Sequence, residues 1–341
     1  MKLIIQIPSY NEAATLPETI SDIPKSLPGF DEVKVLVVDD GSTDDTAEVA
    51  LRCGADYVIR HRRNRGLARA FMTGLTASLS LGADVIINTD ADHQYPGRYI
   101  AELAAPILSG GADLVIGDRQ PGTNIHFSPI KRFLETLGSW VIRYLSQTDA
   151  PDAPSGFRAY SRYAALRMHV YSSYSYTLET IIQAGREQMA IAHVQILTNP
   201  ARRDSRLHRG ILDFIWRQSG TIIRSYILYQ PLRTFILLGA PFLFAGVVLI
   251  GRFMYFYFAR ETGIGRNVQS VSIGGTLSVF GILLILLGLL ADAIRANRRI
   301  MEEVLVHLRD QSNVALEALL EINGSMILRK EDYHPQNKSE S

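Results

Sequence analysis

Two acidic pairs have the types and spacing to do chemistry. Asp90-Ala91-Asp92 directly follows the apolar run Val85-Ile86-Ile87-Asn88. Carboxylates one residue apart splay in extended chain, but a turn can aim both at one hard cation. Mg²⁺ and Mn²⁺ take oxygen ligands and often share them with substrate phosphates. Gln94 can add a carbonyl oxygen. Asp-x-Asp alone also occurs in solvated turns, and its place at a strand end is what favours a metal. Asp39-Asp40 likewise ends the apolar run Val33–Val38. Asp40 is a candidate helix cap. Asp39 can cap too, or accept hydrogen bonds from a base or ribose. The sequence leaves both readings open.

Pro8-Ser9-Tyr10-Asn11-Glu12 closes the first apolar run. Tyr10 can stack on a base, and Glu12 can bind a ribose or order its loop. Arg62, Arg63 and Arg65 precede Gly66-Leu67-Ala68. A helix start after glycine suits a phosphate, and a solvated basic loop is the bland reading.

The elements that must position these residues alternate. Strands are expected at Leu3–Pro8, Val33–Val38, Tyr57–Ile59, Val85–Asn88 and Asp113–Ile116. Helices are expected from Asn11 or Ala13, from Thr43 or Asp44 to about Cys53, over Gly66–Leu81 and over Pro96–Leu108. Ser128–Arg167 reads as helical with loop insertions. Such βαβα alternation with short links predicts an α/β domain with an open, mostly parallel sheet. Ligands of such sheets bind beyond the carboxyl ends of the strands, where the acidic pairs fall.

Hydropathy divides the chain of 341 residues. Residues 1–210 read as the α/β domain and 211–233 as an amphipathic juxtamembrane helix. Two apolar runs, 234–259 and 271–291, are long enough to span a bilayer. Residues 292–341 read as a cytoplasmic helical tail, polar after Tyr333, whose length suggests a homo-oligomer. Met1-Lys2 leads into a strand rather than a signal peptide. Arginines crowd both flanks of the spans, including Arg217, Arg224 and Arg233 before them and Arg295, Arg298 and Arg299 after them. The short connecting loop holds only Arg260 and Arg266 beside Glu261. The positive-inside rule then predicts an integral membrane protein with a cytoplasmic catalytic domain and both termini cytoplasmic. The lone Cys53 suits a reducing compartment. A net charge of +1 gives no field for nucleic acid, so no nucleic-acid partner is expected.

Six segments, in this order and spacing, carry a resemblance. They are Ile7–Glu12, Val37–Asp44, Asn64–Ala70, Asp90–Pro96, Gly117-Asp118-Arg119 and Ser155-Gly156-Phe157-Arg158. The chain resembles the family-2 glycosyltransferases, and among them the polyprenyl-phosphate glycosyltransferases. Dolichol-phosphate mannose synthases and undecaprenyl-phosphate glucosyltransferases are of this type. The resemblance covers about residues 1–210 and implies a GT-A-type nucleotide-binding domain. It implies that Pro8, Tyr10, Glu12 and Asp39 hold the nucleoside, with Asp90 at the nucleotide. It implies that Asp90, Asp92 and Gln94 hold Mg²⁺ or Mn²⁺ on the diphosphate. Arg119, Arg132 and Thr136 match residues that face the acceptor phosphate. Arg202 and Arg206 match a basic loop over the nucleotide, although Arg203 stands where a glycine is common. His93 replaces a frequent leucine and reads as a packing variant.

The implied reaction is inverting, metal-dependent transfer from a nucleotide sugar of the UDP-glucose or GDP-mannose type to a polyprenyl phosphate. Asp92, Arg119, Arg132 and Arg202 are its expected catalytic residues. Two other readings are a transferase to a hydroxyl lipid, such as ceramide or diacylglycerol, and a non-catalytic membrane scaffold. A processive synthase would carry a Gln-x-x-Arg-Trp segment, and here Trp216-Arg217 stands in the wrong order.

Overall fold

The computed structural model describes residues 1–120, 148, 151–170, 176–200, 230–258, 268–311 and 325–332. It divides into two compact units, residues 1–221 with 305–341, and residues 222–304.

The first unit is built on one sheet. Its strands are β1 (Lys2–Ser9), β2 (Glu32–Asp39), β3 (Tyr57–His61), β4 (Val85–Asn88), β5 (Leu114–Asp118), β6 (Arg158–Ser161), β7 (Ile191–Gln195) and β8 (Ser325–Arg329), in the order β7-β5-β6-β4-β1-β2-β3-β8. The core β4-β1-β2-β3 is parallel. β1 and β4 are buried almost throughout, because their apolar runs are covered on both faces. The covering helices are α1 (Leu16–Asp22), α2 (Thr46–Arg52), α3 (Leu67–Ser80), α4 (Tyr99–Leu108), α5 (Arg162–Arg167) and α6 (Thr177–Arg186).

Three expectations need correction. α1 begins at Leu16, because Asn11 sits at φ 54° and the chain through Ala13 is tied to the loop before α2. The stretch read as helical up to Arg167 contains β6, which runs antiparallel between β4 and β5. The tail read as helical contains β8, which pairs antiparallel with β3, Ser325 opposite His61 and Met326 opposite Arg60. β8 covers what would otherwise be an open sheet edge.

The second unit contains α7 (Pro231–Phe258) and most of α8 (Val268–Gln311). Both are long and apolar enough to cross a membrane, and only 11% of each apolar window is buried. A core helix of a soluble domain would be mostly covered, so these helices present apolar surface outward. They run antiparallel and meet at small residues, Gly239 beside Gly281 and Gly246 beside Gly274. Glycines let two backbones approach closely without a hydrophobic drive. The amphipathic stretch 211–233 lies almost wholly outside the described residues.

Candidate active site

The carboxyl ends of β1, β2 and β4 lie side by side, and Asp39 is in register with Ser9 on one side and Arg60 on the other. Asp39 is fully buried, and its Oδ1 accepts the Ser42 N–H at 2.9 Å. Its Oδ2 accepts no hydrogen bond among the described residues, and the Arg60 Nε lies 3.3 Å from it. Burial raises the Asp39 carboxyl, and Ser42 and Arg60 oppose that rise. A buried acceptor at a strand end that has an ion-pair partner but no hydrogen bond can take a ligand N–H. Tyr10, which follows the Asp39 register partner Ser9, is 37% exposed. Glu12 is buried and accepts the Thr15 hydroxyl at 2.8 Å.

Asp40 is not a cap of α2. Its carboxylate accepts the N–H groups of Arg65 and Gly66 at 2.9 and 2.8 Å, and contacts His61 Nδ1 at 2.7 Å. His61 Nε2 in turn meets the Thr73 hydroxyl at 3.0 Å. Asp40 therefore fixes the Arg62–Gly66 loop at the start of α3. Arg62 and Arg63 are exposed on it. Gly41, at φ 72°, lies directly under this loop, where a side chain would collide with the Arg63 backbone.

Asp90-Ala91-Asp92 forms a turn held from α1. Thr19 donates to the Ala91 carbonyl at 3.1 Å. His93, at φ 56°, lies 3.5 Å from both Glu18 and Asp22, which makes it a brace on α1. The Gln94 N–H donates to Asp92 Oδ1 at 3.2 Å, and the Gln94 carbonyl accepts the Asn199 N–H at 2.9 Å. Burial, then the Asp92 charge, pushes the Asp90 carboxyl up to about 7, and Arg119 and Arg158 pull it down. Burial also raises Asp92. Two half-buried neighbouring carboxylates, both raised by desolvation and Asp90 also by the Asp92 charge, are a poor arrangement without a cation and a good one with it. Among the described residues no cluster of three or more His, Cys, Asp or Glu exists to cage a metal. Two carboxylates with free coordination positions fit a cation shared with phosphates.

Behind Asp90 lies Gly156. A Cβ there would sit 3.0 Å from each Asp90 carboxylate oxygen. Asn88 donates to the Gly156 carbonyl at 2.9 Å and is itself held by Gln6 at 2.9 Å.

Arg119, at the end of β5, is paired with Asp152. Its Nε and Nη2 donate to the two Asp152 oxygens at 2.7 and 2.8 Å, and its backbone N–H adds a third bond at 3.0 Å. Asp152 is fully buried. The structure therefore brings together Pro8, Tyr10, Glu12 and Asp39 at one strand-end cluster, and Asp90 within electrostatic reach of Asp92 and Arg119. Arg132, Thr136, Arg202 and Arg206 lie outside the described residues. Sequence reasoning missed Arg60, Asp152 and the structural use of Arg158. Arg60 carried a findable signal, as a basic residue at the end of β3 beside an acidic strand end.

Comparisons with known proteins agree with this geometry. The family model described as glycosyl transferase family 2 matches residues 4–171. The chain is 31% identical over 198 residues to an uncharacterized glycosyltransferase of Mycobacterium bovis, covering 58% of this chain and 84% of that protein. It is 31% identical over 166 residues to the undecaprenyl-phosphate mannosyltransferase of Micrococcus luteus, covering 47% of this chain and 66% of that one. Among solved structures it is similar to glucosyl-3-phosphoglycerate synthase from Mycobacterium tuberculosis in complex with Mn²⁺, UDP-glucose and phosphoglyceric acid. The TM-score is 0.52 at 22% identity, over 66% of this chain and 78% of that chain. This likeness shows the fold, a mostly parallel α/β sheet of the GT-A kind. The chain, a glycosyltransferase, belongs to glycosyl transferase family 2.

Proposed function

We propose that this protein transfers a sugar from a nucleotide sugar to a polyprenyl phosphate at the cytoplasmic face of a membrane, with Mg²⁺ or Mn²⁺. The observation that carries this reading is the proximity of a two-carboxylate turn, Asp90 and Asp92, to the Asp152-anchored Arg119. One half suits a metal diphosphate and the other an anionic acceptor. The name of the Micrococcus luteus relative, an undecaprenyl-phosphate mannosyltransferase, supports the acceptor class. The two outward-facing apolar helices support a membrane-held substrate.

The chain's own residues would divide the work as follows. Asp39, with Tyr10 beside it, receives the base, and Glu12 orders the loop between them. Asp90 and Asp92 hold the cation, with Gln94 alongside, and a bound cation supplies charge stabilisation to the departing nucleoside diphosphate. Arg119, already oriented by Asp152, would hold the acceptor phosphate, a role the family resemblance also implies for Arg132 and Thr136. The family resemblance implies nucleotide binding for Arg202 and Arg206. A phosphate monoester is already ionised at neutral pH, so its oxygen attacks without a strong general base. Catalysis then rests on positioning and on charge. A single displacement inverts the anomeric centre.

The acceptor class is tested with purified full-length protein, Mn²⁺, labelled UDP-glucose and GDP-mannose, and three lipids. Product is expected on polyprenyl phosphate and not on diacylglycerol or ceramide. Transfer to a hydroxyl lipid at equal or greater rate would replace this reading with the hydroxyl-acceptor one.

A further inference from the structure

Behind the site lies a fully buried cation with no assigned part in the reaction, Arg158. Its Nε donates to the Ser155 carbonyl at 2.8 Å. Nη1 donates to the Thr177 carbonyl at 2.8 Å and to the Thr180 hydroxyl at 2.6 Å. Nη2 donates to the Ala153 carbonyl at 2.7 Å. All four acceptors are neutral, and among the described residues no carboxylate lies within ion-pair distance. A buried guanidinium without a charged partner is costly, so its four hydrogen bonds must offset that cost.

The placement of those bonds is what matters. The short segment from Asp152 to Gly156 makes two contacts with the site. Asp152 grips Arg119. Gly156 backs both oxygens of Asp90. Arg158 holds the carbonyls of Ala153 and Ser155, which lie between those two contacts, and ties them to the start of α6.

We propose that Arg158 is a positioning residue that holds residues 152–156 in one conformation, and so keeps the metal half and the acceptor half of the site in register. This rests on the transferase reading above. It predicts coupled damage. Loss of Arg158 should weaken both halves together, while Asp152→Asn moves only the acceptor half and Gly156→Ala only the metal half.

The test uses the full chain in detergent or nanodiscs. Two quantities are measured, the Mn²⁺-dependent affinity for UDP or GDP by calorimetry, and the KM for polyprenyl phosphate. Arg158→Lys keeps the charge but cannot reach four acceptors. It should lose about tenfold in both, within the range seen when supporting residues of metal sites are changed. If Arg158→Lys does not fold, Thr180→Val removes one acceptor and should shift both quantities in the same directions, by less. A folded variant that moves neither quantity, or only one, overturns the proposal. Wild-type protein that binds nucleotide without regard to metal and transfers nothing would overturn the transferase reading and this inference with it. Wild-type transfer with uncoupled variants overturns only the role of Arg158.

Discussion

Arg119 meets Asp152 in a two-point pair, Nε to Oδ2 at 2.7 Å and Nη2 to Oδ1 at 2.8 Å. This fork fixes the guanidinium plane before any acceptor arrives. Pre-set donors lose little freedom on binding and aim at a defined point. Asp152→Asn keeps the shape and removes the charge. It should raise the acceptor KM about tenfold or more, with donor binding unchanged. Steady-state kinetics with varied polyprenyl phosphate checks this, and an unchanged acceptor KM would separate Asp152 from substrate binding.

The raised carboxyls give a pH signature. Burial lifts Asp39, Asp90, Asp92 and Asp118, with Asp90 at about 7. Between the ordinary carboxylate range and those raised values, the folded chain holds protons that the unfolded chain has released. Stability from these groups is therefore present at low pH and falls as pH climbs through that window. The metal-free protein should show a lower Tm at about pH 7.5 than at about pH 5.5, and excess Mn²⁺ should restore it at the higher value. Asp90→Asn should flatten the metal-free slope. A slope that persists unchanged in this variant would remove Asp90 as its source.

Gly41 tests the loop that Asp40 anchors. Its φ of 72° already disfavours a side chain, and a Cβ would lie 2.7 Å from both Arg63 Cα and Asn64 N. Gly41→Ala should cost about 1–3 kcal/mol in stability. It should also weaken nucleotide binding, because the Arg62–Arg65 loop must lift. Denaturation and nucleotide calorimetry read the two effects separately.

The paired helices carry their own prediction. At Gly246 a Cβ would come within 2.5 Å of the Gly274 carbonyl and 2.7 Å of the Ser278 nitrogen. Gly246→Leu should wedge α7 from α8. Spin labels at Val247 and Val279, both exposed, should move apart by a few ångströms. An unchanged distance would show that the hairpin does not depend on this contact.

The parallel core was legible because β1, β2 and β4 are continuous apolar runs that end in polar turns. That pattern alone puts Asp39 and Asp90 at one edge of the sheet. β6 was hidden, because Arg158-Ala159-Tyr160-Ser161 carries no apolar run and sits in a stretch with helical composition. β8 was hidden for a different reason. Its five residues follow a long helix, and only pairing with β3 makes them a strand. Asp152 lay in irregular chain, where no periodicity marks a residue. Its importance arises from a contact across 33 positions. Asp40 had the composition of a helix cap, but its carboxylate secures the Arg62–Gly66 loop rather than α2.

The central claim is metal-dependent sugar transfer to a lipid phosphate through Asp90 and Asp92. The most direct measurement is the yield of lipid-linked sugar, by mass spectrometry, from purified protein, polyprenyl phosphate and a panel of nucleotide sugars. The account predicts product from at least one donor with Mn²⁺ or Mg²⁺, none in excess chelator, and none from folded Asp90→Ala or Asp92→Ala. Undiminished product in chelator, or from either variant, would contradict it.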